Sequence, residues 1–350
     1  MPRFLFRFDV SPRIGTGHLR RCLTLASELK EQHRAFVFFA CKSVDFDLAG
    51  YLHGVVDGWT VLDWSSTPES DAQKVIQIYR QQEIDIAVID HYQADVEYQK
   101  ALHGSGIRWL QFDGSARQPL WADWVLNASP ATDEAFYLPL KQKDATCFLL
   151  GPAYALLRRE FHQWRPKVTF RKEVRRVLLT FGGGDDRGAT VFCLEAMKSL
   201  DRTIERVALV SSANPRRPEI MHWGSRNNDS NVMLLVDEEE IARCMVSADL
   251  AITAGGTTTF ETAAMGLPSL IIQTADNQEL NAKSWDREGA AKYVGLSDSL
   301  TSSALRRHVV DLANSPSLRK SMACIGRSLV DCLGARRVAK TLLSASTDSA

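Results

Sequence analysis

Apolar residues recur along this chain in short, nearly continuous runs, separated by longer amphipathic stretches. Runs rich in β-branched and aromatic residues at 4–8, 35–40, 59–64, 84–89 and 108–112 predict β-strands, with helices over 18–31, 71–82 and 96–102. Asp71 is placed to cap the second of these helices, because its carboxylate can accept from the first free N–H groups. The pattern then restarts. Strands are expected at 174–181, 207–211, 232–236, 250–253 and 269–273, and helices at 190–200, 238–247 and 257–265. Such alternation predicts an α/β fold, with parallel strands joined by right-handed helical crossovers and both sheet faces covered.

A length of 350 residues exceeds one ordinary domain. The expected architecture is two doubly wound Rossmann-like domains facing across a cleft, the first over 1–160 and the second over 173–350. The polar and aromatic stretch 161–172, which contains Pro166, reads as the linker. A helix at 335–345 can cross back onto the first domain, and 346–350 read as a frayed tail. Ligands of such folds gather at the carboxyl ends of the strands.

Composition narrows the function classes. Lys+Arg and Asp+Glu both total 42, so a net charge of +0 offers no electrostatic case for nucleic acid or an anionic membrane. Seven cysteines without C-x-x-C or zinc spacing fit a reducing compartment, where thiols serve as small apolar side chains. No leader-like segment precedes the first strand, and no apolar run approaches the roughly 20 residues of a membrane span. The expectation is a cytoplasmic monomer with a small-molecule partner, no nucleic acid and no membrane span.

Four strand-to-helix turns carry candidate chemistry. In Gly15-Thr16-Gly17-His18-Leu19-Arg20-Arg21, two glycines permit a tight turn, and His18 sits where the helix presents unpaired N–H groups. That positive end disfavours imidazolium, which suits a base; a tight connection with a capping histidine is the plainer reading. In Asp90-His91-Tyr92, polar side chains end a buried strand; substrate contact and turn capping both fit. The glycines of Phe181-Gly182-Gly183-Gly184-Asp185-Asp186 can form an anion-binding concavity or a hinge. In Gly255-Gly256-Thr257-Thr258-Thr259-Phe260-Glu261, amides and hydroxyls can hold a diphosphate at a helix start, with Glu261 placed to accept ribose hydroxyls, although a capping box also explains the spacing. Further on, Asp276 and Asn277 suit a helix cap, while Gln278 and Asn281 share a face that can reach phosphate or sugar hydroxyls.

Taken in this order, and with Gly151-Pro152-Ala153-Tyr154-Ala155-Leu156-Leu157-Arg158 and Ala275-Asp276-Asn277-Gln278, these segments resemble the UDP-2,4-diacetamido-2,4,6-trideoxy-β-L-altropyranose hydrolases of pseudaminic acid biosynthesis. Those enzymes are part of a wider nucleotide-sugar superfamily, similar in fold to the glycosyltransferase that makes lipid II. The resemblance implies a GT-B-like fold and hydrolysis of a UDP-linked amino sugar at its anomeric carbon, with no metal and no cofactor. By matching positions, it implies His18 as general base, Tyr92 as an assistant at the sugar, and Glu261 at the uridine ribose. The substrate-binding set it implies is Gly15, Gly17, Arg21, Asp90, Tyr154, Gly183, Gly255, Gly256, Thr257, Thr258, Glu261, Asn277 and Gln278. The chain departs from that family at Phe112-Asp113-Gly114, where two acids are frequent, and at His91, where a small residue is frequent. Both positions are expected toward the sugar, so the N-acyl pattern or stereochemistry of the substrate can differ.

The chemistry agrees with these residues. UDP leaves readily, and helix-end amides can absorb the developing charge, so the remaining task is to deprotonate a water. One well-placed base is worth roughly 10²–10⁴-fold. Asp9 or Asp90 is expected to orient the imidazole, and attack opposite the diphosphate would invert the anomeric centre. An inverting glycosyltransferase with a UDP-N-acetylhexosamine donor is the main rival, and a non-catalytic nucleotide-sugar-binding protein the second.

Overall fold

Strand β1 (Arg3–Val10) serves two cores at once. Phe4, Phe6, Phe8 and Val10 enter one apolar cluster, while Leu5 enters another on the opposite face. A strand buried on both faces belongs inside a helix-covered parallel sheet. It pairs in parallel with β2 (Phe36–Ser43) on one side and β4 (Ile86–Asp90) on the other. With β3 (Gly58–Leu62), β5 (Trp109–Phe112), β6 (Trp124–Asn127) and β7 (Cys147–Leu150), the order is β3-β2-β1-β4-β5-β6-β7. The computed structural model describes residues 1–11, 14–43, 48–198, 200 and 203–347.

The second sheet repeats the plan. Strands β8 (Arg176–Thr180), β9 (Glu205–Val210), β10 (Val232–Val236), β11 (Leu250–Ala254), β12 (Ser269–Gln273) and β13 (Lys292–Leu296) run parallel in the order β10-β9-β8-β11-β12-β13. Each sheet therefore reverses its winding direction once, between β1 and β4 in the first and between β8 and β11 in the second. At such a switch point the flanking crossovers diverge and leave the strand ends open to ligand. The four turns singled out in the sequence follow β1, β4, β8 and β11, in that order.

The chain divides into two compact units, one comprising Met1–Ile14, His18–Leu156 and Leu333–Ala350, the other Gly15–Gly17 and Leu157–Cys332. Residues 161–172, read as a linker, lie within the second unit, where Arg159–Trp164 is helical and Arg165–Lys167 forms a 3-10 turn. The last helix, Gly334–Thr347, returns to the first unit and buries Val338, Ala339 and Leu342 in the Phe4–Phe8 cluster. Gly334 is needed there, since a Cβ would collide with the backbone at Ala155, and Arg337 Nη1 donates to Ala153 O at 2.8 Å. Of the expected frayed tail, residues 348–350 lie outside the described residues.

Other differences have local causes. The helix expected from Asp71 begins at Pro68, with Thr67 as its cap accepting from Ser70 N–H at 3.3 Å. Asp71 does not cap; it is buried one turn into the helix, where it meets Arg7. Strands β6 and β7 have 4 residues each, too few to show a period. The helix Arg217–Asn227 buries only Ile220 and Trp223, which leaves little periodicity to read. The helices Ser302–Ala313 and Pro316–Leu329 complete the second unit beyond the last recognisable motif.

Candidate functional site

The first switch point is built by side chains. Gly15 has φ of +81°, a left-handed conformation that a side chain would strain, and it turns the chain into the helix Gly17–His33. His18 therefore emerges in the first helical turn, 6% exposed, beside the end of β4. Its Nδ1 lies 2.7 Å from Asp90 Oδ1. Asp90 is itself 1% exposed and takes both forks of the Arg21 guanidinium: Nε donates to Oδ2 at 2.5 Å and Nη2 donates to Oδ1. Burial alone would push this carboxyl up, but Arg21 and His18 together hold it well below the usual carboxylate range. An ionised carboxylate can only accept, so His18 Nδ1 carries a proton directed at Asp90. The 3.1 Å approach of Arg21 Nη2 to Nδ1 is then a close contact of two donors, both directed at Asp90. Cys22 Sγ backs the carboxylate at 3.7 Å from Oδ2. Tyr92, 67% exposed, sets its ring edge-on to His18 with centroids 4.9 Å apart.

Neighbouring residues on β1 and β4 point the other way. Phe8 and Asp90 are register partners on one face, so Arg7, Asp9 and His91 fall on the opposite one. There Arg7 donates to both Asp71 oxygens, at 2.9 and 2.6 Å, and to Asp9 at 2.5 Å. Lys42 joins Asp71 at 3.1 Å, and Tyr98 donates to Asp71 at 3.3 Å. Two expectations are corrected here. Asp9 is occupied by Arg7, which leaves Asp90 as the orienting carboxylate. His91 lies on the sheet face away from His18 and packs edge-on to Tyr98, with both ring nitrogens buried and without a hydrogen-bond partner among the described residues. Burial, reinforced by the nearby Arg7 charge, pushes its imidazole well below the ordinary range, so it is neutral.

Phe112, at the end of β5, lies under Arg21, with the guanidinium carbon 4.6 Å from the ring centroid. The sequence flagged this position only as a departure; nothing in the spacing showed that it would support Arg21. The following Asp113 accepts from Ala116 N–H at 2.7 Å and from Tyr137 Oη–H at 2.7 Å, so it organises its own loop. Tyr154, in the 3-10 turn Pro152–Tyr154, packs against the first core cluster.

The second switch point is built from backbone. Gly182, φ +89°, and Gly183 follow β8. Asp186 accepts from Thr190 N–H at 3.0 Å in the first turn of the helix Ala189–Ala196, whose N-cap is Gly188. After β11, the turn Gly255-Gly256-Thr257 leads into the helix Thr258–Ala264, whose N-cap Thr257 makes no side-chain cap hydrogen bond. The capping-box reading is therefore not realised. Instead Thr259 Oγ1 donates to Gly256 O at 2.7 Å. Gln278 and Asn281 stitch this turn together. Gln278 Oε1 accepts from Gly255 N–H at 3.2 Å and from Thr274 N–H at 2.9 Å, and Asn281 Nδ2 donates to Gly255 O at 2.8 Å. These atoms serve the turn itself, and Gly255 has both its polar groups engaged. Asp276 and Asn277 fall in a 3-10 turn whose N-cap position is Ala275, and Asn277 is exposed. Glu261, with its side chain 15% exposed, has Arg158 Nη2 at 3.9 Å from Oε1. The sequence named Arg158 only as the end of the Gly151–Arg158 segment, with no role attached. Among the described residues, no cluster of His, Cys, Asp or Glu could hold a metal, and no helix is long and apolar enough to cross a membrane.

Comparison with known proteins adds the following. A model of the Glycosyltransferase family 28 C-terminal domain matches residues 194–329. The chain is 26% identical over 284 residues to a UDP-2,4-diacetamido-2,4,6-trideoxy-β-L-altropyranose hydrolase of Campylobacter jejuni, covering 80% of this chain and 94% of that protein. It is 24% identical over 339 residues to the spore coat polysaccharide biosynthesis protein SpsG of Bacillus subtilis, covering 94% of both. An uncharacterized protein of Methanocaldococcus jannaschii is 25% identical over 269 residues, 75% of this chain, which spans about half (54%) of that relative's length. Among solved structures, Acinetobacter baumannii MurG has a TM-score of 0.70 at 17% identity, covering 98% of this chain and 100% of that one. The fold is thus GT-B-like, and the similarity to the Campylobacter hydrolase agrees with the resemblance carried by the motifs.

Proposed function

We propose that this protein hydrolyses a UDP-linked 2,4-diacetamido-2,4,6-trideoxy hexose at the anomeric C–O bond, releasing UDP and the free sugar for nonulosonic (pseudaminic) acid synthesis. The observation that carries this reading is the 2.7 Å contact between His18 Nδ1 and the Asp90 carboxylate, which fixes the ring and leaves Nε2 as the nitrogen not engaged by Asp90. In the reaction, His18 Nε2 accepts a proton as a water oxygen bonds to the anomeric carbon. The bond from that carbon to the diphosphate oxygen breaks, its electron pair leaves with UDP, and the configuration inverts. Tyr92, edge-on to the imidazole, bounds the sugar.

In this reading residues 256–258, together with Gly183, hold the diphosphate, and Glu261 accepts from the ribose hydroxyls. UDP departs as a stable anion, so a metal is not required. The protein acts as a cytoplasmic monomer, which its unpaired cysteines suit. Similarity to the Campylobacter hydrolase supports the substrate class, with more of the chain covered than in the family 28 match.

That family 28 match favours one second reading, an inverting glycosyltransferase with a UDP-N-acetylhexosamine donor. A single assay separates the two. Purified protein is incubated with the UDP-diacetamido sugar, chelator and isotopically labelled water, without acceptor. Release of UDP with label in the free sugar is expected. Label in the phosphate would overturn the mechanism, and silence until an acceptor is added would favour transfer.

A further inference from the structure

The described contacts leave Arg21 with a task other than the substrate contact that the sequence suggested. Its guanidinium is held on two sides. Its carbon sits over the Phe112 ring, 4.6 Å from the centroid, and its edge is forked onto both oxygens of Asp90. Asp90 Oδ1 in turn receives His18 Nδ1–H at 2.7 Å. These four side chains come from three elements of one unit: His18 and Arg21 from the helix Gly17–His33, Asp90 from β4 and Phe112 from β5. His18 and Arg21 are three residues apart on their helix and so share a face, which is what lets one carboxylate serve both. Arg21 also keeps part of its side chain in solvent, 29% exposed, whereas Asp90 is closed off.

We propose that Arg21 is the positioning residue of this site: set over the Phe112 ring, it fixes the Asp90 carboxylate, and through that carboxylate the direction and protonation of the His18 ring. The inference rests on the hydrolase reading for its kinetic consequences alone. A planar fork can lock both carboxylate oxygens in one plane, which a lysine ammonium cannot do, and an aromatic face further limits its tilt. The fork also opposes the carboxylate's charge. Without it, a buried anion would face the imidazole alone and favour its protonated form, which cannot act as a base. The titratable and charged groups recorded around the ring are Asp90 from β4, Arg21 and Cys22 from its own helix, and Tyr92 from the turn after β4.

The decisive measurement is the titration of His18 by NMR in the full-length, ligand-free protein with isotope-labelled histidine, assigned with a His18→Gln variant. In Arg21→Met the midpoint is expected to rise by on the order of one pH unit. An unchanged midpoint in a folded Arg21→Met protein would overturn the proposal. Arg21→Lys keeps the charge but not the fork: the midpoint should move less, while kcat on the UDP-diacetamido sugar falls by roughly tenfold to 10²-fold with KM little changed. Phe112→Leu, which retains every charge, should lower kcat in the same sense and by less.

If Arg21→Met does not fold, Arg21→Lys decides. Full kcat in that variant shows that the fork is dispensable and sinks the proposal. A rise in KM alone would make Arg21 a substrate contact instead. Because the titration needs no turnover, a wild-type protein that cleaves no UDP-sugar would count against the hydrolase reading while leaving the Arg21 result to stand or fall by itself.

Discussion

The two switch points occupy equivalent places in two similar sheets, yet they are made of different material. Between β1 and β4 the work falls to titratable side chains: His18, Asp90 and Arg21 form one hydrogen-bonded line. Between β8 and β11 it falls to a double-glycine turn whose shape is kept by two neutral amide side chains, Gln278 and Asn281. A group that must give and take protons has to be a side chain with a tuned charge environment. A surface that must hold an anion in one orientation does better with fixed backbone dipoles, which carry no proton to lose. The difference in construction matches the division of labour proposed, with sugar chemistry in the first unit and nucleotide binding in the second.

Four experiments test that contrast. The largest effect belongs to His18→Ala, expected to lower turnover by roughly 10²–10⁴-fold. Calorimetry should find UDP affinity unchanged, since nothing in the second unit is touched; a matching loss of UDP affinity would break the contrast. Next comes Asp71→Asn, on the far face of the first sheet, which leaves Arg7 and Lys42 buried without their shared carboxylate. Urea unfolding should show a loss of about 3–5 kcal/mol near neutral pH.

Asp71 also predicts a pH dependence. Burial pushes its carboxyl up, but hydrogen bonding and charge from Arg7 overcome this and hold it at about 2, below the ordinary 3.8. Its stabilising effect is therefore fully present above the ordinary value and is lost as pH falls through 3.8 toward 2. The wild type should show that acid slope and Asp71→Asn should lack it.

A smaller effect is expected for Gln278→Leu, which strands the N–H groups of Gly255 and Thr274. Stability should fall by roughly 1–3 kcal/mol, with UDP binding weakened and the His18 titration unmoved. The smallest is His91→Phe. Both nitrogens of this buried ring lack partners, so an apolar ring of similar shape should change stability by less than about 1 kcal/mol and leave turnover intact. A large loss of activity would mean that His91 reaches the chemistry after all.

How far the sequence could be read follows from the range of each interaction. Residues 4–8 or 250–253 announce buried strands because a nearly continuous apolar run reports solvent exclusion on both faces, whatever the partner strands are. Gly15, three residues before His18, announces a turn because a positive φ is a property of one residue. The alternation of elements was enough to give the doubly wound architecture, since parallel strands need crossovers of one hand. Which carboxylate meets which cation was beyond it. Asp9 and Asp90 were equal candidates to orient His18, and only the β1–β4 register, pairing Phe8 with Asp90, put Asp9 on the far face with Arg7 and Asp90 on the near face with His18. The same register turned His91 away from the site, and sheet order brought Phe112 beneath Arg21, 91 positions distant in the chain. Local sequence decides what a residue can do, whereas the partner that makes it do so is chosen by strands whose pairing is a property of the whole sheet.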